Sequence, residues 1–156
     1  MEETERPDLR FVAVPLSTIA GQTMRDWGRD FCRMARPLTA GEILLGDGHC
    51  SGAEEYENLA RAGIDRVLPA EFADTARWAA RVQALADRVD AIYLMVDVDI
   101  LRNEYIPAYF RPEPGGRALE TVLGNVRAVM RTGKGAGVLV LLRRFRQVRA
   151  GRRNHV

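Results

Sequence analysis

The chain has 156 residues, of which 47% are hydrophobic and 28% are charged, a composition typical of one soluble globular domain with a real core. Six of its 23 basic residues are arginines after residue 142, whereas the last of its 21 acidic residues is Glu120. Residues 1–142 are therefore net acidic. This excludes nucleic acid as an expected partner of the domain and confines that question to residues 143–156.

Three further features indicate a cytoplasmic protein without a membrane anchor. No apolar run approaches the ~18 residues that a membrane-spanning helix needs. The first ten residues, MEETERPDLR, are charged and lack the apolar core of a secretory signal. The two cysteines, Cys32 and Cys50, form no disulfide framework and suit a reducing compartment.

Strands and helices are predicted to alternate along the chain. The predicted strands cover residues 9–16 (strand or extended segment), 42–46, 66–70, 91–96 and 138–142. Helices are predicted over residues 22–36, 71–89 and 118–130. A further helix is predicted from a capping box at Ser51 and Glu54 to Arg61, with Gly63 as its C-cap. The buried stripe of the 118–130 helix is predicted to be Leu119, Val122, Leu123, Val126 and Met130. This order predicts a three-layer α/β/α fold with a mainly parallel sheet over residues 1–142, followed by a basic tail that we expect to be disordered.

Two carboxylates, Asp97 and Asp99, follow the apolar run at 91–96. The run is typical of a central parallel strand buried on both faces, and open α/β sheets bind ligands at the carboxyl ends of such strands. On an extended backbone, residues i and i+2 point the same way, so the two carboxylates are expected to converge on a divalent cation. The alternative is that an aspartate at this place caps the next turn.

The same segment resembles the ureohydrolase family, which includes arginase, agmatinase, guanidinobutyrase and formimidoylglutamase. That family has a strand, D-x-D, a short segment reaching a proline, and then P-x-P-G-G before a helix. Here the matching residues are Val98, Ile100, Leu101, Tyr105, Pro107, Pro112, Pro114, Gly115 and Gly116. Upstream, AEEYENLARAGI at 53–64 is similar to a family helix, and Asp8-Leu9-Arg10 is similar to the end of a family metal motif.

The resemblance implies an arginase-like fold, here incomplete, and metal-assisted hydrolysis of a guanidino or formimino C–N bond. Family members hold two manganese ions, with a shared hydroxide as the nucleophile. By resemblance, Asp97, Asp99 and Asp8 are the metal ligands of this chain, for Mn²⁺ or alternatively Mg²⁺. It also implies a small guanidino or formimino substrate and a homo-oligomer.

Other positions depart from the family pattern. Glu5-Arg6-Pro7 stand where acidic and histidine ligands are expected, and Arg102-Asn103 replace an Asp-Pro pair. No glutamate follows the last predicted strand, where the family has one facing the substrate. His49 lies in a loop, GDGHC at 46–50, whose place in the chain does not match the family histidine motif. No catalytic residue is assigned, and we expect a truncated family member with weak or no activity in isolation.

Two alternatives remain open from the sequence. LMVDVDILRNE at 94–104 also resembles the start of a haloacid-dehalogenase phosphatase, with Asp97 as the nucleophile, Asp99 as the acid/base and Mg²⁺ as the cofactor, although Leu101 stands where Thr or Val is usual. The second alternative is a non-catalytic pseudoenzyme or interaction module whose arginine-rich tail contacts RNA, DNA or an acidic partner.

Overall fold

A computed structural model describes residues 15–48, 53–107 and 114–141 of the chain. The helices are α1 (Pro15–Ile19), α2 (Ala53–Ala62), α3 (Pro69–Ala73), α4 (Thr75–Ala86) and α5 (Leu119–Arg131). The strands are β1 (Leu44–Gly46), β2 (Asp65–Val67), β3 (Ile92–Asp97) and β4 (Gly135–Leu141). None of the helices in these ranges is long and apolar enough to cross a membrane.

The strands pair in parallel, β1 with β2 and β3 with β4. Each pair is joined through a crossover helix, α2 in the first case and α5 in the second, as parallel pairing requires. The predicted α/β class with parallel strands is thus confirmed. Within the described ranges the strands form two two-stranded sheets, so the α/β fold is incomplete.

The core lies where α4 and α5 pack beside the strands. Trp78 of α4 packs edge-on against Phe72 of α3, with ring centroids 4.9 Å apart. The indole N–H of Trp78 donates to the backbone carbonyl of Asn125, and the Asn125 amide donates to the carbonyl of Phe72. The remaining members of this buried cluster are Val67, Val82, Leu85, Ala86, Ile92, Ala128 and Val129. One residue of α5, Asn125, therefore contacts α3 through its side chain and α4 through its backbone carbonyl.

Helix boundaries follow local chemistry. The predicted helix over 71–89 is two helices, because the Asp74 side chain accepts from the backbone N–H groups of Ala76 and Arg77 and so begins α4 afresh. Pro69, predicted in a strand, instead opens α3, where its lack of an N–H is tolerated. Gly63 ends α2 with φ +67°, as predicted. Ser51, of the predicted capping box, lies outside the described residues.

The amphipathic helix predicted over 22–36 forms only in part. Residues 25–31 are helical, and Trp27–Phe31 within them is a π-helix. Met24 and Arg33 both adopt positive φ angles, 49° and 57°, which a right-handed helix does not allow. Phe31 is 74% exposed, so the apolar spacing in this segment does not produce a buried face. The strand or extended segment predicted over 9–16 lies outside the described residues, except that residues 15 and 16 begin α1.

Two burial predictions also need correction. β3 is not buried on both faces, because Tyr93 is 66% and Met95 49% exposed, while Ile92 packs into the core. In α5 the buried residues are Val122, Asn125, Ala128 and Val129. Two members of the predicted stripe, Leu123 and Met130, are instead exposed.

Candidate metal site

Asp97 is the last residue of β3, and its carboxylate is partly buried. Its Oδ1 atom is buried and has no hydrogen-bond partner. Asp97 also occupies the N-cap position of the following 3-10 helix, Val98–Ile100, yet its side chain makes no capping hydrogen bond. The capping explanation therefore does not account for this aspartate. A buried carboxylate oxygen without a donor is costly to maintain, and it is the kind of atom that binds a cation.

Asp99 lies within that 3-10 helix and is also partly buried. The strand ends at Asp97, so the expected i, i+2 alternation of an extended backbone does not reach Asp99, and that argument for convergence was wrong. Both aspartates nevertheless lie at the carboxyl end of β3, as predicted. This is the end at which parallel sheets bind ligands.

The glycines of the PGG segment set the backbone beside this turn. Gly115 has φ +85°, a conformation that favours glycine. A Cβ on Gly116 would lie 2.4 Å from the carbonyl oxygen of Leu101, closer than any side chain permits. The two glycines thus allow residue 117 to form a parallel bridge with Leu101, immediately after the aspartate-bearing turn.

Asp47 and Arg117 form a pair beside the site that no sequence pattern predicted. Asp47 follows β1, is fully buried and has φ +67°. Both of its carboxylate oxygens accept from the Arg117 guanidinium, Oδ2 from Nε at 2.6 Å and Oδ1 from Nη2 at 2.9 Å. The hydrogen bond to Asp47 is the main reason that the pKa of Arg117 lies above its usual value, against the opposing effect of burial.

Asp8 was also predicted as a metal ligand, by resemblance to the family. Asp8 and His49 lie outside the described residues, so the role predicted for Asp8 stays a prediction. Among residues 15–48, 53–107 and 114–141, no group of three or more His, Cys, Asp or Glu side chains is placed to hold a metal ion. Carboxylate oxygens such as those of Asp97 and Asp99 are the ligands that hard cations prefer. The described residues alone do not build a two-metal centre.

Comparisons with known proteins found a family match and one curated relative, and the family match covers this site. A model of the arginase family matches residues 32–139, which include Asp47, Asp97, Asp99 and Arg117 but not Asp8. The chain is 35% identical over 88 residues to "Putative agmatinase 1" of Schizosaccharomyces pombe. The aligned part is 53% of this chain and 22% of that protein, so the chain spans about a fifth of this relative's length. No solved structure matches.

Proposed function

This chain belongs to the arginase family, and we propose that Asp97 and Asp99 bind one divalent cation, Mn²⁺ or Mg²⁺, as the later carboxylate pair of a ureohydrolase metal site. The observation that carries the proposal is the buried Oδ1 atom of Asp97, which no protein donor satisfies. The oxygen-only ligand set suits hard cations such as Mn²⁺ and Mg²⁺.

The reaction class that we propose is hydrolysis of a guanidino or formimino C–N bond. A bound metal lowers the pKa of a coordinated water and polarises the substrate. Support for this class comes from the family and from the S. pombe relative, whose name describes an agmatinase. The match to the arginase family argues against the haloacid-dehalogenase alternative. Assembly into a homo-oligomer and a cytoplasmic location remain part of the same proposal.

Thermal unfolding with and without Mn²⁺ tests the cation site. A ligand at 100 times its Kd stabilises the folded state by about 2.7 kcal/mol, which corresponds to roughly 5–10 °C in Tm for a chain of this size. Asp97→Asn is nearly isosteric and removes the charge. Without metal, it should be as stable as the wild type or more so, because it relieves a buried, unsatisfied charged oxygen. With Mn²⁺, it should lose the Tm increase.

Asp90→Asn is the matched control, because it removes the same charge from an exposed aspartate at the other end of β3. It should keep the wild-type response to Mn²⁺. A structural role for Asp97 predicts the reverse pattern, in which Asp97→Asn lowers Tm without metal and leaves the metal response intact. That pattern would contradict the proposal.

Product release tests the reaction class. With Mn²⁺ and guanidino or formimino substrates, the chain alone should release little or no urea or formamide, because among the described residues no group of three or more His, Cys, Asp or Glu side chains is placed to hold a metal ion. Rapid turnover that Asp97→Asn abolishes would show instead that the chain assembles a complete centre.

A further inference from the structure

Arg117 links two parts of the described structure that lie 70 residues apart in sequence. Its guanidinium forms a bidentate salt bridge, called the fork below, with Asp47 at the end of β1. Such a fork fixes orientation as well as distance, because both N–H groups and both carboxylate oxygens must be aligned. The Arg117 side chain is 21% exposed and that of Asp47 is fully buried, so solvent does little to loosen the pair.

The backbone of the same residue holds the segment after Asp99. The Arg117 N–H donates to the carbonyl of Ile100 at 2.7 Å, and the Arg117 carbonyl accepts from the N–H of Arg102 at 3.0 Å. Leu101 lies between these two contacts, and its own N–H closes the aspartate-bearing turn by donating to Val98. Arg117 is therefore bonded on both sides of Leu101, directly beside the turn that carries Asp99.

The far end of this connection is itself held in place. The Asp47 N–H donates to the carbonyl of Val67 at 3.1 Å, and the carbonyl of the next residue, Gly48, accepts from the Tyr56 hydroxyl at 2.8 Å. Asp47 keeps a left-handed backbone (φ +67°) although it is not glycine, a strained state that surrounding contacts must maintain and that clusters at functional sites. A buried ion pair of this kind adds little stability over an apolar pair.

We propose that Arg117, anchored by Asp47, is the positioning residue that fixes the Val98–Ile100 turn and with it the cation-binding geometry of Asp97 and Asp99. The proposal deepens the cation site and rests on that function. It predicts that loss of the Asp47–Arg117 fork weakens metal binding without unfolding the protein, because the residues that hold metal ligands in place typically change affinity by 10- to 100-fold.

The test uses the full chain with the double variant Asp47→Asn/Arg117→Met. This variant removes both partners of the pair, so no unpaired charge is left buried. Two quantities are measured in the folded protein: the Kd for Mn²⁺ by electron paramagnetic resonance, and the amide hydrogen-exchange rates of Leu101 and Arg102. We expect the Kd to rise tenfold or more and both amides to exchange at least tenfold faster, while the Ile92 amide, at the other end of β3, is unchanged.

The matched control is Arg36→Gln/Glu42→Gln. It removes a second fork with N–O distances of 2.8 and 2.6 Å that lies on the surface outside the site, and it should alter neither quantity. If the double variant at Asp47 and Arg117 does not fold, Arg117→Lys keeps the charge and loses the fork, and a tenfold rise in its Kd is the expected result.

Two outcomes overturn the proposal: an unchanged Kd in the folded variant, or unchanged exchange at Leu101 and Arg102. If the wild type binds no Mn²⁺, the proposed function fails separately. The exchange rates then decide alone whether Arg117 fixes the turn, since faster exchange supports this and unchanged exchange refutes it.

Discussion

Substitution of Gly116 by alanine should destabilise the protein through one contact that can be measured in the structure. The added Cβ would lie 2.4 Å from the Leu101 carbonyl oxygen and 2.7 Å from the Arg102 nitrogen. Carbon–oxygen contacts are ordinarily about 3.3 Å or longer, so the two backbone segments must separate by roughly 1 Å. Both obstacles are backbone atoms, which cannot rotate away as a side chain can.

The separation breaks the bridge at Arg117. Its two backbone hydrogen bonds, to Ile100 and from Arg102, are 2.7 and 3.0 Å long, and the second would lengthen to about 4 Å, beyond hydrogen-bonding range. Loss of both hydrogen bonds should lower the free energy of unfolding by about 2 kcal/mol, within the ~1–3 kcal/mol usual for overpacking. For a chain of this size, about 2 kcal/mol corresponds to a fall in Tm of roughly 4–8 °C.

Urea unfolding, monitored by circular dichroism, measures this change in stability, with Gly124→Ala as the control. Gly124 lies inside α5, and a Cβ there would meet Thr75 at an ordinary 3.5 Å. The same added methyl group should therefore stabilise the helix by about 0.5–1 kcal/mol. The two variants should shift the unfolding midpoint in opposite directions at a similar m value. If Gly116→Ala is within about 0.5 kcal/mol of the wild type, below the ~1–3 kcal/mol of overpacking, the steric argument fails.

Three further changes test other parts of the account. Asn125→Leu should destabilise the protein by about 1–3 kcal/mol, because the buried carbonyl of Phe72 loses its donor; urea unfolding checks this, and no loss would show that water replaces the amide. Lys134→Met removes charge-assisted hydrogen bonds to the carbonyls of Ala86, the last residue of α4, and Val89 and should lower stability by about 2 kcal/mol; a Tm equal to that of the wild type would show that these two bonds add nothing. The pKa of Glu42 lies well below its ordinary value of 4.5, mainly because the Arg36 guanidinium donates to its carboxylate and to a smaller extent because Thr39 donates two hydrogen bonds to it. This contribution to stability is present above about pH 4.5 and is lost as the pH falls further. Glu42→Gln should therefore flatten the decline of Tm between about pH 5 and pH 3; an unchanged slope would remove Glu42 from the acid response.

The sequence predicted the elements whose local signals agree with their tertiary surroundings. α5 begins and ends within one residue of the predicted bounds, and β3 is found one residue from its predicted place. Apolar spacing in α5 and a continuous apolar run in β3 indicate the element that forms, although the buried side differs from the prediction in both. The sequence also predicted that Asp97 and Asp99 lie at the carboxyl end of a strand, and their role as metal ligands stays a prediction.

The failures have identifiable physical causes. The apolar spacing over 22–36 is helical, but positive φ angles at Met24 and Arg33 interrupt the helix, and apolar periodicity does not reveal such turns. β3 reads as fully buried, yet Tyr93 and Met95 are exposed, since an apolar run does not show which sheet face is covered. The Asp47–Arg117 pair depends on the packing of segments 70 residues apart, which no local pattern reports.

Direct detection of bound Mn²⁺ tests whether Asp97 and Asp99 bind one divalent cation. The electron paramagnetic resonance signal of free Mn²⁺ is titrated against the wild-type chain and against Asp97→Asn and Asp99→Asn, with Asp90→Asn as the control. We predict one bound ion per chain in the wild type and the control, and at least tenfold weaker binding in Asp97→Asn and in Asp99→Asn. Binding that is equal in all four proteins, or absent from the wild type, would contradict it.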